Sequence, residues 1–289
     1  RFQQTCGPVM AKGVEDTTFY RWHRLSALNE VGGRPEQFAV FPDELHAWAS
    51  RQQDEHPLSM TTLSTHDTKR SEDVRARILA LSEVPEAWRE AVTGWRDAAS
   101  AYRSAGGWPD PVTEYLLWQT VVGTWPISAD RLTEYLTKAA REAKLHTTWT
   151  DPDPDYEEAL AAFATGVLSD ATIAESIGAF VEQIQPWARV TTLGSKLVQL
   201  MLPGAPDVYQ GCELVELSLV DPDNRRPVDV TERRQRLAAL HDRTEPRALD
   251  DEKLQVVTTA VRLRREHPEW FGARGADAPL PTPTPNALG

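Results

Sequence analysis

The sequence predicts a helix-dominated α/β fold in which two short strands of a parallel sheet are set among many helices. Three observations predict it. Apolar residues recur at three- and four-residue spacing through most of the chain after residue 80, the mark of amphipathic helices. Only two runs read as strands, the threonine-rich Leu58 to Ser64 and the short Pro206 to Gly211, bounded by Pro and Gly. Each run is followed by polar loop chemistry and then a helix, the order of a βα unit in a parallel sheet. Two strands are too few for a stable sheet. The chain is therefore expected to be a piece of a larger protein, or to be completed by something else.

The elements follow in order. Gln3 to Tyr20 holds an apolar run, Pro8 to Ala11, then Lys12-Gly13, Glu15-Asp16 and the aromatic pair Phe19-Tyr20. It reads as a strand end or loop leading to a helix. After the first strand, Glu72, Asp73, Arg75 and Arg77 read as a solvated helix face with i,i+3 and i,i+4 pairs. Trp88, Val92, Trp95, Ala99 and Tyr102 share one helix face, which Gly106-Gly107-Trp108-Pro109 interrupts. Pro111 to Val122 is a second helix, with Asp110 as N-cap and Pro111 in the first turn. Ser128 caps a third, whose face is Leu132, Tyr135, Leu136, Ala139 and Ala143. Asp151-Pro-Asp-Pro-Asp155 is the entry to a fourth, striped by Tyr156, Leu160, Phe163 and Val167. Asp170 caps a fifth, and Pro186 is expected to end it. Val190, Leu193, Leu197, Leu200 and Met201 mark a sixth, stopped by Pro203-Gly204. Helices are also expected over 231–242 and 251–266. In domain terms, residues 1–80 form a segment with a functional strand end, 81–190 a helical insertion and 191–274 the last βα units. The Pro-rich tail, 275–289, is expected to be disordered or truncated.

Composition narrows the function. A formal net charge of -12 argues against nucleic acid, whose phosphates need a basic surface. No run of about 18 apolar residues is present, so no membrane span is expected. Cys6 and Cys212 are the only cysteines; without a CxxC pair or a disulfide framework they fit a reducing, cytoplasmic compartment. Asp151, Asp153 and Asp155 have the opening spacing of a calcium loop, but Tyr156 and Ala162 stand where it needs Gly and Glu. With no HExxH, phosphate loop or GxSxG, no metal and no cofactor are expected. Ten tryptophans read first as helix packing and second as platforms for sugar faces.

The chemistry concentrates in Thr65-His-Asp-Thr-Lys-Arg70. In βα barrels the C-terminal strand ends face the active site, and His66 and Asp67 stand at such an end. Carboxylates there bond sugar hydroxyls and stabilise an oxocarbenium-like charge. A pair of this kind also arises when Asp caps the next helix and His packs in the core. Lys69 and Arg70 favour a site, since that charge density needs solvent or a purpose. Lys12 is a further candidate for a sugar hydroxyl or a carboxylate, with a plain surface charge as its alternative. Glu213 reads as one half of a structural ion pair with Arg225 or Arg226.

Taken together, MAKGVEDTTFYR, LNEVGG, LSTHDTKRSEDVRARI, EYLLWQT, PGAPDVYQGCEL and LVDPDNRRPVD resemble the maltooligosyltrehalose synthases, a branch of the α-amylase family of glycoside hydrolases. The resemblance runs from about residue 1 to about 274 and is most specific over THDTKRSEDVRAR. It implies an incomplete (β/α)8 barrel, its last strands and helices only, with a large all-helical insertion. It implies intramolecular transglucosylation of maltooligosaccharides, turning the reducing-end α-1,4 bond into an α,α-1,1 bond. By motif position Asp67 matches the third carboxylate of such a site and His66 the neighbouring sugar-binding histidine. Lys69 and Lys12 match lysines near the reducing-end subsites, and Arg70 is expected to face the same cleft. The motifs that carry the family's nucleophile and acid/base lie on earlier strands, and no segment here resembles them. The chain alone is thus expected to be inactive and to need the remainder of the barrel as partner. Another α-amylase-family hydrolase or glucanotransferase, or a non-catalytic helical binding module, are the alternatives.

Overall fold

In a computed structural model, the described residues are 2–241, 248–271 and 275, so the tail beyond residue 275 lies outside them. The first segment departs from expectation. Phe2–Val9 is a helix, α1, and Met10–Glu15 prolongs it as a wider, π-type turn. Four apolar residues were too short a run to separate strand from helix, and the run itself ends in the good helix formers Met10 and Ala11, with Lys12 next. Thr17 and Thr18 Oγ1 donate to the carbonyls of Lys12 and Gly13, at 2.7 and 2.9 Å, and so satisfy carbonyls that the helix end would orphan. A second helix, α2 (Pro42–Glu55), has no counterpart in the sequence reading. Its entry is set by Pro42 in the first turn and by Glu44, which accepts the Phe41 N–H at 2.8 Å.

Strand β1 (Met60–Thr62) pairs in parallel with β2 (Ala205–Asp207), Met60 opposite Ala205 and Thr62 opposite Asp207. Gly204 enters β2 with a φ of +110°, and a Cβ there would fall 2.4 Å from the Ser59 carbonyl oxygen. Only glycine allows that approach. The described residues thus form an open two-stranded parallel sheet within a mostly helical chain, the arrangement of an incomplete (β/α)8 barrel with a helical insertion.

Between the strands lie α3 (Glu72–Leu79), α4 (Pro85–Ala98), α5 (Pro111–Thr124), α6 (Ala129–Ala143), α7 (Pro154–Ser169) and α8 (Ala171–Met201). The expected caps form: Asp110 accepts from the Val112 and Thr113 N–H groups, Ser128 from Arg131, and Asp170 from Thr172 and Ile173. Helix α5 is buried on every side from Leu116 to Thr124. Thr120 and Thr124 fit there because their hydroxyls donate back to the Leu116 and Thr120 carbonyls. Trp118 of α5 joins Trp88, Trp95 and Phe180 in one aromatic cluster, with ring centroids 5.5–5.9 Å apart. These three tryptophans are core packing and not sugar platforms.

Pro186 does not end a helix. Helix α8 runs unbroken through it and across residue 190, over 31 residues. An interior proline costs about 3 kcal/mol, and the continuous buried face Ile177, Phe180, Val181, Ile184, Ala188 and Thr192 outweighs that. The expected stripe of the second half holds only in part: Leu200 is buried and Leu193 half-buried. Val190, Leu197 and Met201 are exposed, while Lys196 and Gln199 point inward. Two further helices, α9 (Val230–His241) and α10 (Leu249–Glu266), and the short α11 (Pro268–Phe271) complete the described chain, with α10 packed along α8.

Candidate active site

The chain leaves β1 into a tight turn that hydroxyl groups lock. Thr65 Oγ1 accepts the N–H groups of Asp67 and Thr68 at 3.1 and 3.2 Å, and Thr68 Oγ1 donates to the Thr65 carbonyl at 2.9 Å. Hydroxyl-closed turns of this type fix the backbone without using the tip side chains. His66 and Asp67 therefore stand exposed at the tip. The loop after β2 holds the same turn from the other side: Asn224 Nδ2 donates to the Thr65 and His66 carbonyls at 3.3 and 3.0 Å.

Past the turn the chain bends at Lys69 and Arg70 is bridged to Leu219, and the two side chains take different directions. Lys69 goes one way. Its Nζ lies 2.5 Å from Asp16 Oδ1 and 5.6 Å from the centre of the Tyr20 ring. Arg70 goes the other way, which corrects the expectation that it faces the cleft. It is 1% exposed, donates to the Ser26 carbonyl at 3.2 Å and to the Tyr135 hydroxyl at 2.8 Å, and lies against the Tyr135 ring. Arg70 is an interior tie.

Lys12 lies across from Lys69 on the wide turn after α1. Its Nζ is 2.5 Å from Asp16 Oδ2, and its side chain is 77% exposed. One carboxylate thus joins the two lysines that the sequence singled out separately. Burial pushes the Asp16 carboxyl up, but hydrogen bonds and charge from Lys12 and Lys69 outweigh it and hold the group below the ordinary carboxylate range. The Asp16 hydrogen bond in turn raises Lys12, with Glu142 and Asp67 adding to the effect. Asp67 is therefore within electrostatic reach of this pair.

Sequence reasoning missed three contributors. Asp16 has only its i,i+4 spacing from Lys12 as a signal. Glu30, in LNEVGG, accepts the Lys69 and Arg70 N–H groups at 2.7 and 3.2 Å and pairs with Arg75 at 3.1 Å. It fixes the segment from outside. The third is a buried charge cluster beneath the turn. Glu72 and Asp73, expected on a solvated face, are 7% and 2% exposed. Lys196 and Lys253 both reach Glu72 at 2.8 Å, and Lys253 reaches Asp73 at 2.6 Å. Ser64 connects this cluster to the turn, accepting the Glu72 N–H at 2.9 Å. The ion pair expected for Glu213 exists, but its partner is Arg233 rather than Arg225 or Arg226; Arg225 pairs with Asp221.

Below Arg70, buried His23 bonds the Tyr20 carbonyl through Nε2 at 3.0 Å. Burial, then the Arg70 charge, push its pKa down from 6.5 to about 4. The folded state thus binds no proton there at a pH where the unfolded chain does. Stability is kept above about pH 6.5 and lost as pH falls towards 4, by up to about 3 kcal/mol. Urea melts at pH 7 and pH 4.5 check this, since His23→Gln is expected to reduce the difference between them.

No family model matches the chain. Two curated proteins of Mycobacterium tuberculosis, strains CDC 1551 and H37Rv, each named "Putative maltooligosyl trehalose synthase", are 46% identical to it over 278 residues. The match covers 94% of this chain and 34% of theirs, so the chain spans about a third of the length of these relatives. Among solved structures, maltooligosyltrehalose synthase from Arthrobacter ramosus aligns with a TM-score of 0.86 at 46% identity, over 93% of this chain and 35% of that one. A hypothetical maltooligosyl trehalose synthase of Sulfolobus tokodaii aligns at 0.84 and 33% identity, over 93% and 37%. The chain is thus strongly homologous over nearly its whole length to the C-terminal region of maltooligosyltrehalose synthase and belongs to that branch of the α-amylase family.

Proposed function

We propose that the chain is part of a maltooligosyltrehalose synthase and supplies one side of its active site. The observation that carries this reading is the exposed pair His66 and Asp67, held on a locked turn after a parallel strand, with Lys12 and Lys69 converging beside it. The substrate class is a maltooligosaccharide. The reaction is an intramolecular transglucosylation, which converts the α-1,4 bond at the reducing end into an α,α-1,1 bond.

In a retaining mechanism one carboxylate attacks the anomeric carbon while an acid protonates the departing oxygen, the two being about 5 Å apart. Those two groups belong to the remainder of the barrel. Asp67 serves as the third carboxylate, gripping the distorted sugar and stabilising its positive charge. His66 bonds a hydroxyl of the same sugar. The glucose unit that leaves is neutral, and the ammonium of Lys12 is an exposed donor for its hydroxyls, with Lys69 behind it. Retained in place, that glucose turns and attacks through its own anomeric hydroxyl. The acid/base group takes the proton back, so the step is balanced without water. The division into a site-bearing segment, a helical insertion and last βα units belongs to this proposal, as does a cytoplasmic location.

Product analysis on maltopentaose with the complete enzyme tests it. A non-reducing product of unchanged mass is expected. Accumulating reducing sugar would instead mark a hydrolase or glucanotransferase, and no turnover with retained sugar binding would mark a helical binding module.

A further inference from the structure

We infer that Asp16 is a positioning residue for this reaction: one carboxylate that, anchored on buried Lys69, holds the exposed Lys12 toward the departing glucose. The inference rests on the proposed function and adds a residue to it. Each oxygen of Asp16 takes a separate lysine, Lys69 on Oδ1 and Lys12 on Oδ2, both at 2.5 Å. The two lysines come from different elements, 53 and 4 residues away in the chain. Without Asp16, two like charges would be left side by side, and repulsion would drive the exposed Lys12 outward into water.

The local backbone is built for this task. The wide turn Met10–Glu15 closes with the Asp16 N–H on the Ala11 carbonyl at 2.7 Å, and such π-type turns recur at functional sites. Thr17 ties the same turn to the helical region through Lys144 Nζ at 3.0 Å, and Glu15 accepts the Gly32 N–H at 2.9 Å. The turn is therefore held from both sides while Lys12 projects into solvent. A donor fixed in this way is of little use for breaking the glycosidic bond. Its use is to keep a small neutral sugar from escaping during the interval before re-attack, which is a matter of orientation and residence. Asp16 therefore governs the fate of the glucose rather than the rate of cleavage.

The test compares wild-type and Asp16→Asn complete enzyme on maltopentaose, scoring total bond cleavage and the share of cleaved glucose that is released free. Asp16→Asn is expected to raise that share about tenfold, with cleavage reduced less than about threefold. Lys12→Met, at an exposed position that leaves folding intact, is expected to move the share in the same direction. An unchanged share in both variants, or a share unchanged while cleavage falls, overturns the inference and leaves the proposed function standing. Wild-type enzyme that itself releases only reducing sugar overturns both.

Discussion

Asp67→Asn in the complete enzyme is expected to cut trehalose-forming turnover by about 10²–10³-fold, the usual cost of removing one preorganised charge from a developing transition state. Asparagine keeps the shape and loses the charge. The turn itself is closed by Thr65, Thr68 and Asn224 through backbone groups, so the fold has no stake in the Asp67 carboxylate. Melting temperature is accordingly expected to stay within a degree or two, as for other exposed substitutions. Initial rates of non-reducing product, measured beside a thermal melt, separate the two effects. Retained turnover would remove Asp67 from the reaction.

The second large effect is on stability. Lys253→Met is expected to cost about 3–5 kcal/mol, because breaking a buried ion pair from one side strands its partner's charge. Lys253 is fully buried and lies between Glu72 and Asp73, also donating to the Leu214 carbonyl at 2.9 Å. Burial pushes its ammonium down, but Asp73 and then Glu72 outweigh that and hold it above the ordinary lysine range. With methionine there, Glu72 keeps Lys196, while Asp73 keeps the Glu216 N–H at 2.8 Å but loses its lysine. Adding Asp73→Leu is expected to restore part of the loss, since an apolar pair tolerates burial better than a stranded charge. Urea unfolding of the single and double variants measures it, and a single-variant loss under about 1 kcal/mol would contradict the reading.

Local signals were the legible ones. Asp110, Ser128 and Asp170 cap helices because a cap acts on backbone groups two or three residues away. The two strands were readable from threonine content and from Pro and Gly punctuation. Pro186 misled because the proline penalty is local, whereas the face that overrides it packs against distant helices. Glu72 and Asp73 misled for a related reason. Their partners, Lys196 and Lys253, lie more than a hundred residues away, and a charge run looks the same whether water or lysine answers it. At the site, the motif located His66, Asp67, Lys69 and Lys12 but could not tell Lys69 from Arg70. Their different directions are set by the bend at Lys69 and by the bridge from Arg70 to Leu219, which lies far along the chain.

The pairing of β1 with β2 also bears on the order in which the molecule comes together. Met60 meets Ala205 across roughly 145 residues of chain, and three-residue strands return little for closing so long a loop. Most of that interval is α3 to α8, where α6 and α7 pack as neighbours in sequence while α3 and α8 meet from its two ends. Once α8 has packed on α3, the two strand segments are already delivered side by side, and the entropic cost of their meeting has been met by the helices. The helices between β1 and β2 are on this account a folding template for the sheet, and the turn after β1 is set once they have packed.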